Sequence, residues 1–395
     1  MRRLTTEKDL KQMLELSTYA FNFRNIEELK EQLLYTWKHT ENWGTFRGND
    51  LASQVVVFPM CVNLFSKKIK MAGIGNVATY PEYRRQGDVR RLFTRMSQEL
   101  YENGTVLSYL APFNRQFYRN FGYESIFNNI EIEIDRKDIL KLDSEKPRDV
   151  RRVLNDENQY YEKIKQLYKV TLQERNGSVI REDWWWQIVF KQIGRLWAVC
   201  LDGLENITGY LSYEMGEKNF IIHELAYSDR LTLDQLVSFI SSHSATFEKF
   251  KFIDKSTEVI RLLLEDVGDV RFNLNEGMMV KIVSFEKFIA NYEFNQTKEA
   301  IKFKIAVKDE FSSWNHGIWE LFVADGKGKA VRISEKIDSE AELTGTIQSW
   351  TQVFFGKVRL SEQVLLNVIQ TNTKEEINFL EKLMKVSDFA LFDSF

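Results

Sequence analysis

Gly73-Ile-Gly-Asn-Val-Ala-Thr-Tyr-Pro-Glu-Tyr-Arg-Arg-Gln-Gly-Asp-Val-Arg-Arg-Leu92 joins the end of a strand, a polar turn and the start of a helix. The β-branched and small residues up to Tyr80 read as a strand that Pro81 ends, because proline has no N–H to give to a ladder. Past Gly87 the period changes: Val89, Leu92, Phe93, Met96 and Leu100 fall on one face of a helix. A turn in this position leaves backbone N–H groups pointing outward at the positive end of the helix dipole. Gly87 lets the backbone approach a ligand or take a positive φ. Arg84, Arg85, Arg90 and Arg91 crowd cationic side chains around it, and the combination suits a pyrophosphate. Arginines beside a helix start also fit a solvated surface. The place of this turn, between a β-rich run and an amphipathic helix, favours the anion.

Upstream, Leu10, Met13, Leu14, Ser17 and Phe21 recur at helical spacing, and Leu33, Leu34 and Trp37 suggest a second helix. Residues 54–64 and 69–80 are β-rich, with a hairpin turn expected at Ser66-Lys67-Lys68. The helix over 88–101 stops at Asn103-Gly104, and 106–110 supplies another strand. This order predicts an α/β unit around a mixed sheet. A charged stretch over 136–156 separates it from helices over 157–173 and 183–193, strands over 196–200, 209–211 and 219–227, and a helix from Leu233 to about residue 250. The order repeats the first unit without any residue-level repeat. After its strand 220–227 comes Ser228-Asp-Arg-Leu-Thr-Leu-Asp234, with neither the glycine nor the arginine cluster. The last stretch changes to α+β, with short strands over 279–283, 301–307, 317–323 and 329–333 and helices over 348–355, 361–368 and from Lys374. The expected domains are 1–150, 151–288 and 289–395.

With 395 residues, 44% hydrophobic, 28% charged and a net charge of −3, the chain reads as an ordinary globular protein of two or three domains. That charge gives no argument for nucleic-acid or membrane-surface binding. The start of the chain lacks an apolar signal core and no run approaches a membrane span, so a cytoplasmic location is expected. Cys61 and Cys200 lack metal spacing and His39, His223, His243 and His316 are scattered, so no metal site is expected. Trp184, Trp185 and Trp186 cannot all face one way on a helix, and core or interface packing suits them best.

Residues 84–90, Arg-Arg-Gln-Gly-Asp-Val-Arg, resemble the acetyl-CoA loop of the GNAT N-acetyltransferases. The wider string GIGNVATYPEYRRQG, with Ala111-Pro112-Phe113 and Phe117-Tyr-Arg-Asn-Phe-Gly-Tyr-Glu124 downstream, resembles the enhanced-intracellular-survival (Eis) acetyltransferases. The superfamily loop usually has Gly or Ala where this chain has Val89, a departure the Eis-like group shares. The resemblance implies two GNAT-like mixed-sheet domains, the second degenerate, and a C-terminal α+β domain similar to sterol carrier proteins. It implies that the backbone of Val77, Ala78 and Thr79 pairs with the pantetheine arm. The turn of Arg84, Arg85, Gln86, Gly87, Asp88, Val89 and Arg90 would hold the pyrophosphate, with Tyr118 and Arg119 as a second coenzyme contact. Backbone at Asn76 or Val77 would polarise the thioester carbonyl, worth about 3 kcal/mol. Asn76, Trp37 and Asp393 are expected on the acceptor side.

Tyr123 alone reads as a core tyrosine among Phe117, Tyr118 and Phe121; the resemblance makes it the acid for the leaving thiolate. A tyrosine near 10 facing a thiol near 8.5 makes that transfer uphill by about 2 kcal/mol. The α-carboxylate of Phe395 is the implied base or amine anchor. A carboxylate near 3.5 is about 9 kcal/mol short of stripping an ammonium near 10, so it orients the amine or takes the proton late. The implied reaction moves acetyl from acetyl-CoA directly to a primary amine, polyamine-like, aminoglycoside-like or lysine, in a ternary complex. The absence of a convincing cysteine or serine nucleophile suits direct transfer. The resemblance also implies a homo-oligomer, a hexamer in that family. Two competing readings stay open: a lipid- or sterol-binding protein that uses the C-terminal domain, and an acetyl-CoA sensor without turnover.

Overall fold

The long β-rich run folds as a hairpin in which Asp50–Leu64 and Lys67–Thr79 pair antiparallel. Its turn is Phe65-Ser66, with φ of 50° and 62°, the two-residue geometry whose twist matches the flanking strands. The sequence reading places this turn later because Phe65 lacks the Gly or Asn chemistry that marks such turns. The structure, a computed structural model, describes residues 1–395 except 23–24, 143–148, 155–157, 193, 255–262, 264–269, 338–340, 372–373, 386 and 388. Parts of the expected charged stretch, at 143–148 and 155–156, and the expected helix ends at 157 and 193 lie outside the described residues.

The described chain divides into two compact units, the first made of Met1–Ile126, Met278–Ser387 and Ser394–Phe395. Its larger sheet has seven strands in the order Arg2–Arg3, Glu41–Arg47, Asp50–Leu64, Lys67–Thr79, Leu107–Leu110, Met279–Ile282 and Glu124–Ser125. Every neighbouring pair is antiparallel except Lys67–Thr79 with Leu107–Leu110, which is parallel. The helix Asp88–Glu102 connects those two strands and buries Leu92, Phe93, Met96 and Leu100 with Val55, Val57, Ala72 and Ile74. Helices Glu7–Phe21 and Ile26–Trp37 bury Met13, Leu16, Leu29 and Leu33 with Val56 and Ala78 from the opposite pleat. Strand Glu41–Arg47 escapes the sequence reading because its polar Asn42 and Thr45 are buried along with Trp43, which erases the alternation.

The same unit contains a five-stranded sheet ordered Lys327–Ser334, Gly317–Ala324, Ile301–Lys308, Leu343–Thr346 and Gln370–Thr371, with helices Phe285–Asn291, Ile347–Phe354, Leu360–Leu365 and Lys374–Leu383. Strand Met279–Ile282, read from sequence with the short C-terminal strands, instead inserts into the larger sheet. Next to it, Trp314 Nε1 donates to the Val283 carbonyl at 2.8 Å and its ring stacks on Tyr101 at 4.8 Å.

The second unit, Phe127–Gly277 with Asp388–Asp393, has its own seven-stranded sheet. The expected helix from Leu233 to about 250 is shorter. Helix Arg230–Ser241 gives way to strand Lys249–Asp254, where Phe250 and Phe252 are buried at a strand's period of two. Trp185 and Trp186 are buried and Trp184 half-buried. Arg181 is buried and doubly paired, with Glu224 at 2.5 and 3.1 Å and with Asp393 at 2.8 Å. Trp185 Nε1 also donates to Asp393, at 2.7 Å, and the Tyr210 hydroxyl donates to Glu224 at 2.6 Å. The rings of Tyr168 and Trp186 stack on the guanidinium at 4.0 and 4.6 Å.

Removing one member of such a network strands a buried charge. Asp393→Ala is expected to destabilise the protein by about 3–5 kcal/mol in urea denaturation. Truncating Asp234, which pairs with Arg230 at the surface, is expected to cost less than about 1 kcal/mol.

Candidate active site

The parallel ladder between Lys67–Thr79 and Leu107–Leu110 ends at Ile74↔Leu110. Residues 75–79 continue, paired to Asp50–Leu64 on one side and past the end of their partner on the other. The register to Asp50–Leu64 slips between Gln54 and Val56, so that Asn76 and Val77 oppose one residue. Asn76 takes a φ of 50° at this bulge. Its Oδ1 accepts from Ser17 Oγ and Gln54 Nε2, both at 3.0 Å, which pins the bulge to the first helix. Val77, Ala78 and Thr79 thus offer a strand edge where nothing in the sheet covers them, the geometry an extended chain needs in order to add as a strand.

The two implied reaction groups lie on opposite pleats of this strand. Ala72 and Ile74 pack in the same core cluster as Tyr123. Gly73 and Gly75 present the other pleat, and a Cβ on Gly73 would fall 2.7 Å from the Phe395 ring. A Cβ on Gly75 would fall 3.2 Å from the Phe395 carboxyl carbon. Both glycines are therefore a seat for residue 395, whose ring also meets Phe58 at 6.0 Å between centroids. Trp37 packs half-buried in the cluster that includes Phe58. On the Tyr123 side, Ser108 Oγ donates to the Ala72 carbonyl at 2.9 Å. Its single proton is thereby used, so Tyr123 donates in the 2.7 Å contact between the two hydroxyls. Burial pushes the Tyr123 hydroxyl well above the ordinary tyrosine value, which keeps it protonated and makes it a poorer acid.

The turn after the strand takes the conformation that an anion cradle needs. Arg85 and Gly87 are left-handed, at φ of 59° and 77°, and Gly87 starts the helix with no side chain capping it. Arg84, Arg85 and Arg90 are exposed around it. Asp88 turns inward, paired with Arg47 at 2.7 Å and with Arg91, and Arg47 also reaches the Gln86 amide oxygen at 2.8 Å. Arg91 donates to the Gln86 carbonyl at 3.1 Å, so this arginine shapes the turn from within. In the second unit the helix Arg230–Ser241 starts differently: Asp229 caps it and accepts from Thr232 N at 2.8 Å. A carboxylate already occupies the place an anion would take there.

Tyr118 is buried among Phe93, Phe113, Phe117 and Tyr123. Arg119 is half-buried and paired with buried Glu124, while its carbonyl accepts from Gln348 at 2.8 Å. Asp393 belongs to the second unit, with its oxygens turned to Arg181 and Trp185. The first unit thus brings together residues 76–79, 84–90, Trp37, Tyr118, Arg119, Tyr123 and Phe395. The sequence reading overlooked Ser17, Gln54, Ser108 and the GxG seat, whose only signal was two glycines at period two in a strand. It also overlooked Lys281, fully buried on the Tyr123 pleat. Among the described residues no group of three His, Cys, Asp or Glu is placed to hold a metal ion, and no helix is long and apolar enough to cross a membrane.

Residues 1–126 match the family model of an acetyltransferase (GNAT) domain, 177–282 match a second acetyltransferase (GNAT) domain, and 285–388 match a sterol carrier protein domain. A probable N-acyltransferase from Enterococcus faecalis is 28% identical with a TM-score of 0.90, covering 100% of this chain and 99% of its own. Eis1 from Mycobacterium abscessus shares the fold at 14% identity and a TM-score of 0.77, over 100% of this chain and 99% of that one. Residues 1–126 and 177–282 are thus GNAT acetyltransferase domains, and the whole chain shares the fold of Eis1. A GCN5-related N-acetyltransferase from Anabaena variabilis is likewise similar in fold, at 18% identity and a TM-score of 0.83 over 99% of both chains. No curated protein matches. Within this GNAT chain, the domain with the uncapped helix start is the first one.

The glycine seat can be tested without substrate. With 4-fluorophenylalanine at position 395, the 19F resonance of the parent protein is expected to be shifted from that of a solvated ring. Gly73→Ala moves it to the solvated position and costs no more than about 1 kcal/mol of stability, since the displaced atoms belong to residue 395. An unmoved resonance would show that the ring is not seated there.

Proposed function

We propose that this chain transfers an acetyl group from acetyl-CoA to a primary amine, at the open edge of residues 76–79. The observation that carries the reading is the strand that outruns its parallel partner at Ile74 and leads into a left-handed, uncapped arginine turn. The turn of Arg84 to Arg90 takes the pyrophosphate by backbone N–H groups and exposed guanidinium groups, with Tyr118 and Arg119 as the second coenzyme contact. The backbone of Val77, Ala78 and Thr79 pairs with the pantetheine arm. The bound thioester supplies the activated acetyl group. The bulge at Asn76 and Val77 directs a backbone N–H to its carbonyl oxygen.

Phe395 orients the acceptor from the Gly73 and Gly75 pleat; the neutral amine attacks the carbonyl carbon, and Phe395 takes the proton that its nitrogen sheds once the C–N bond has formed. Tyr123 donates its hydroxyl proton to the sulfur as the C–S bond breaks, from the opposite pleat. Phe395 then releases its proton to solvent and a solvent proton restores Tyr123, so the products are the amide and the free thiol. Burial makes Tyr123 the harder of the two groups to use, and a neighbouring positive charge would ease it. Acceptors with a free aliphatic amine, polyamine-like, aminoglycoside-like or lysine, suit a carboxylate anchor. Assembly into a homo-oligomer and a cytoplasmic location belong to the same proposal.

Thiol release from acetyl-CoA across a panel of amines tests this reading. Amine-dependent release is expected; Tyr123→Phe lowers kcat at least 10-fold while acetyl-CoA still binds. Deleting Phe395, or extending the chain beyond it, lowers kcat by a similar factor. Release that is unaffected by either change would keep the acyl transfer and remove Phe395 from it. Coenzyme binding with no release to any amine would favour a sensor.

A further inference from the structure

Lys281 is the most anomalous charge in the first unit. It is fully buried in the strand Met279–Ile282, with Ser108 as its direct partner in the neighbouring strand. Ser108 is the residue whose hydroxyl meets Tyr123 at 2.7 Å. Among the described residues the Lys281 ammonium hydrogen-bonds only the Ser97 hydroxyl, at 3.4 Å, and it lies over the Phe311 ring at 4.4 Å and the Tyr123 ring at 6.0 Å. Among the described residues no carboxylate comes within ion-pair distance of it. The one that faces it, Asp309, accepts from Phe311 N at 3.0 Å, Ser312 N at 2.8 Å and Asn315 Nδ2 at 3.2 Å, and acts on the ammonium only from a distance. His316 binds the Asp309 backbone N–H at 3.3 Å, and Arg90 approaches the Phe311 ring at 5.9 Å. An ammonium without a contacting anion costs stability, and apolar strand residues fill the same layer of the sheet without that cost.

We propose that Lys281 is a positioning residue for acyl transfer: its ammonium stabilises the negative charge that passes between the leaving sulfur and Tyr123. The proposal rests on the acetyl-transfer reading above. The ammonium lies 6.0 Å from the centre of the Tyr123 ring, and a positive charge beside a buried phenol favours its ionised form. Its sign opposes the burial that makes Tyr123 a poor acid. Burial also pushes Lys281 itself down to about 8, with Asp309 pulling it part of the way back. The ammonium is thus present below that pH and lost as pH rises through it.

Lys281→Met removes the charge at similar volume and, by ending the burial of a charge, is expected to keep or raise the thermal midpoint. In the full chain with acetyl-CoA and an active amine, kcat at pH 7 is expected to fall about 10-fold with the KM for acetyl-CoA unchanged. The wild type loses activity as pH rises through about 8, and this limb disappears in Lys281→Met. Lys281→Arg, which stays charged, keeps activity above that pH. A profile and kcat in Lys281→Met within twofold of wild type overturn the proposal. A second readout needs no turnover: the thiolate absorbance of bound coenzyme A, titrated with pH, has its midpoint raised by about one unit in Lys281→Met. An unmoved midpoint also overturns the proposal. Absence of thiol release by the wild type with every amine counts against the acetyl-transfer reading alone, and the absorbance titration then decides the role of Lys281.

Discussion

A parallel strand pair can separate only where one strand has no further partner, and here that point is the rung Ile74↔Leu110. Beyond it the backbone of 75–79 stays paired with Asp50–Leu64 and leaves its other edge without a strand partner. Exposed edges invite unwanted pairing, so a protein that keeps one open must hold it rigidly and give it a proper occupant. The rigidity comes from the bulge at Asn76, whose amide oxygen is pinned by Ser17 and Gln54. Without that pin, Asn76 would have little reason to hold a positive φ. The turn that follows inherits its direction from the same strand, so the cradle around Gly87 is aimed by the residues that open the edge.

Much of this was legible because it rests on local chemistry. Pro81, Gly87 and the run of arginines mark a strand end, a tight turn and a helix start by residue type alone. The amphipathic helix that follows has a regular period, and the short strands and helices of the last stretch are bounded by clear turn signals. The failures share a physical cause, which is that tertiary partners override local pattern. Strand Glu41–Arg47 buries polar residues that look exposed in sequence. Strand Met279–Ile282 belongs to a sheet whose other strands lie far earlier in the chain. The hairpin turn at Phe65-Ser66 takes left-handed geometry without the residues that advertise it. In the site itself, motif residues were readable one by one. The pleat on which each faces was not, since the bulge shifts the alternation between Gly75 and Val77.

Side chains alternate along a strand, so ahead of the bulge the Tyr123 cluster and residue 395 stand on opposite pleats. Gly73 and Gly75 leave the second pleat bare, and residue 395 fills it. A side chain at either position would compete with that residue for the same space.

The two GNAT domains make the same point about anions by contrast. Each places a helix after a strand, and each helix dipole offers the same partial positive charge at its start. In the second domain Asp229 satisfies a backbone N–H and supplies a negative charge of its own, which both uses the donors and repels a phosphate. In the first, Gly87 contributes no side chain, while Asp88 turns its carboxylate inward to Arg47 and Arg91. One acidic residue stands at the helix start in both cases. What differs is a shift of position around the helix start, so that in one domain the carboxylate takes a backbone N–H of the first turn and in the other it braces Arg47 and Arg91 and leaves the turn uncapped.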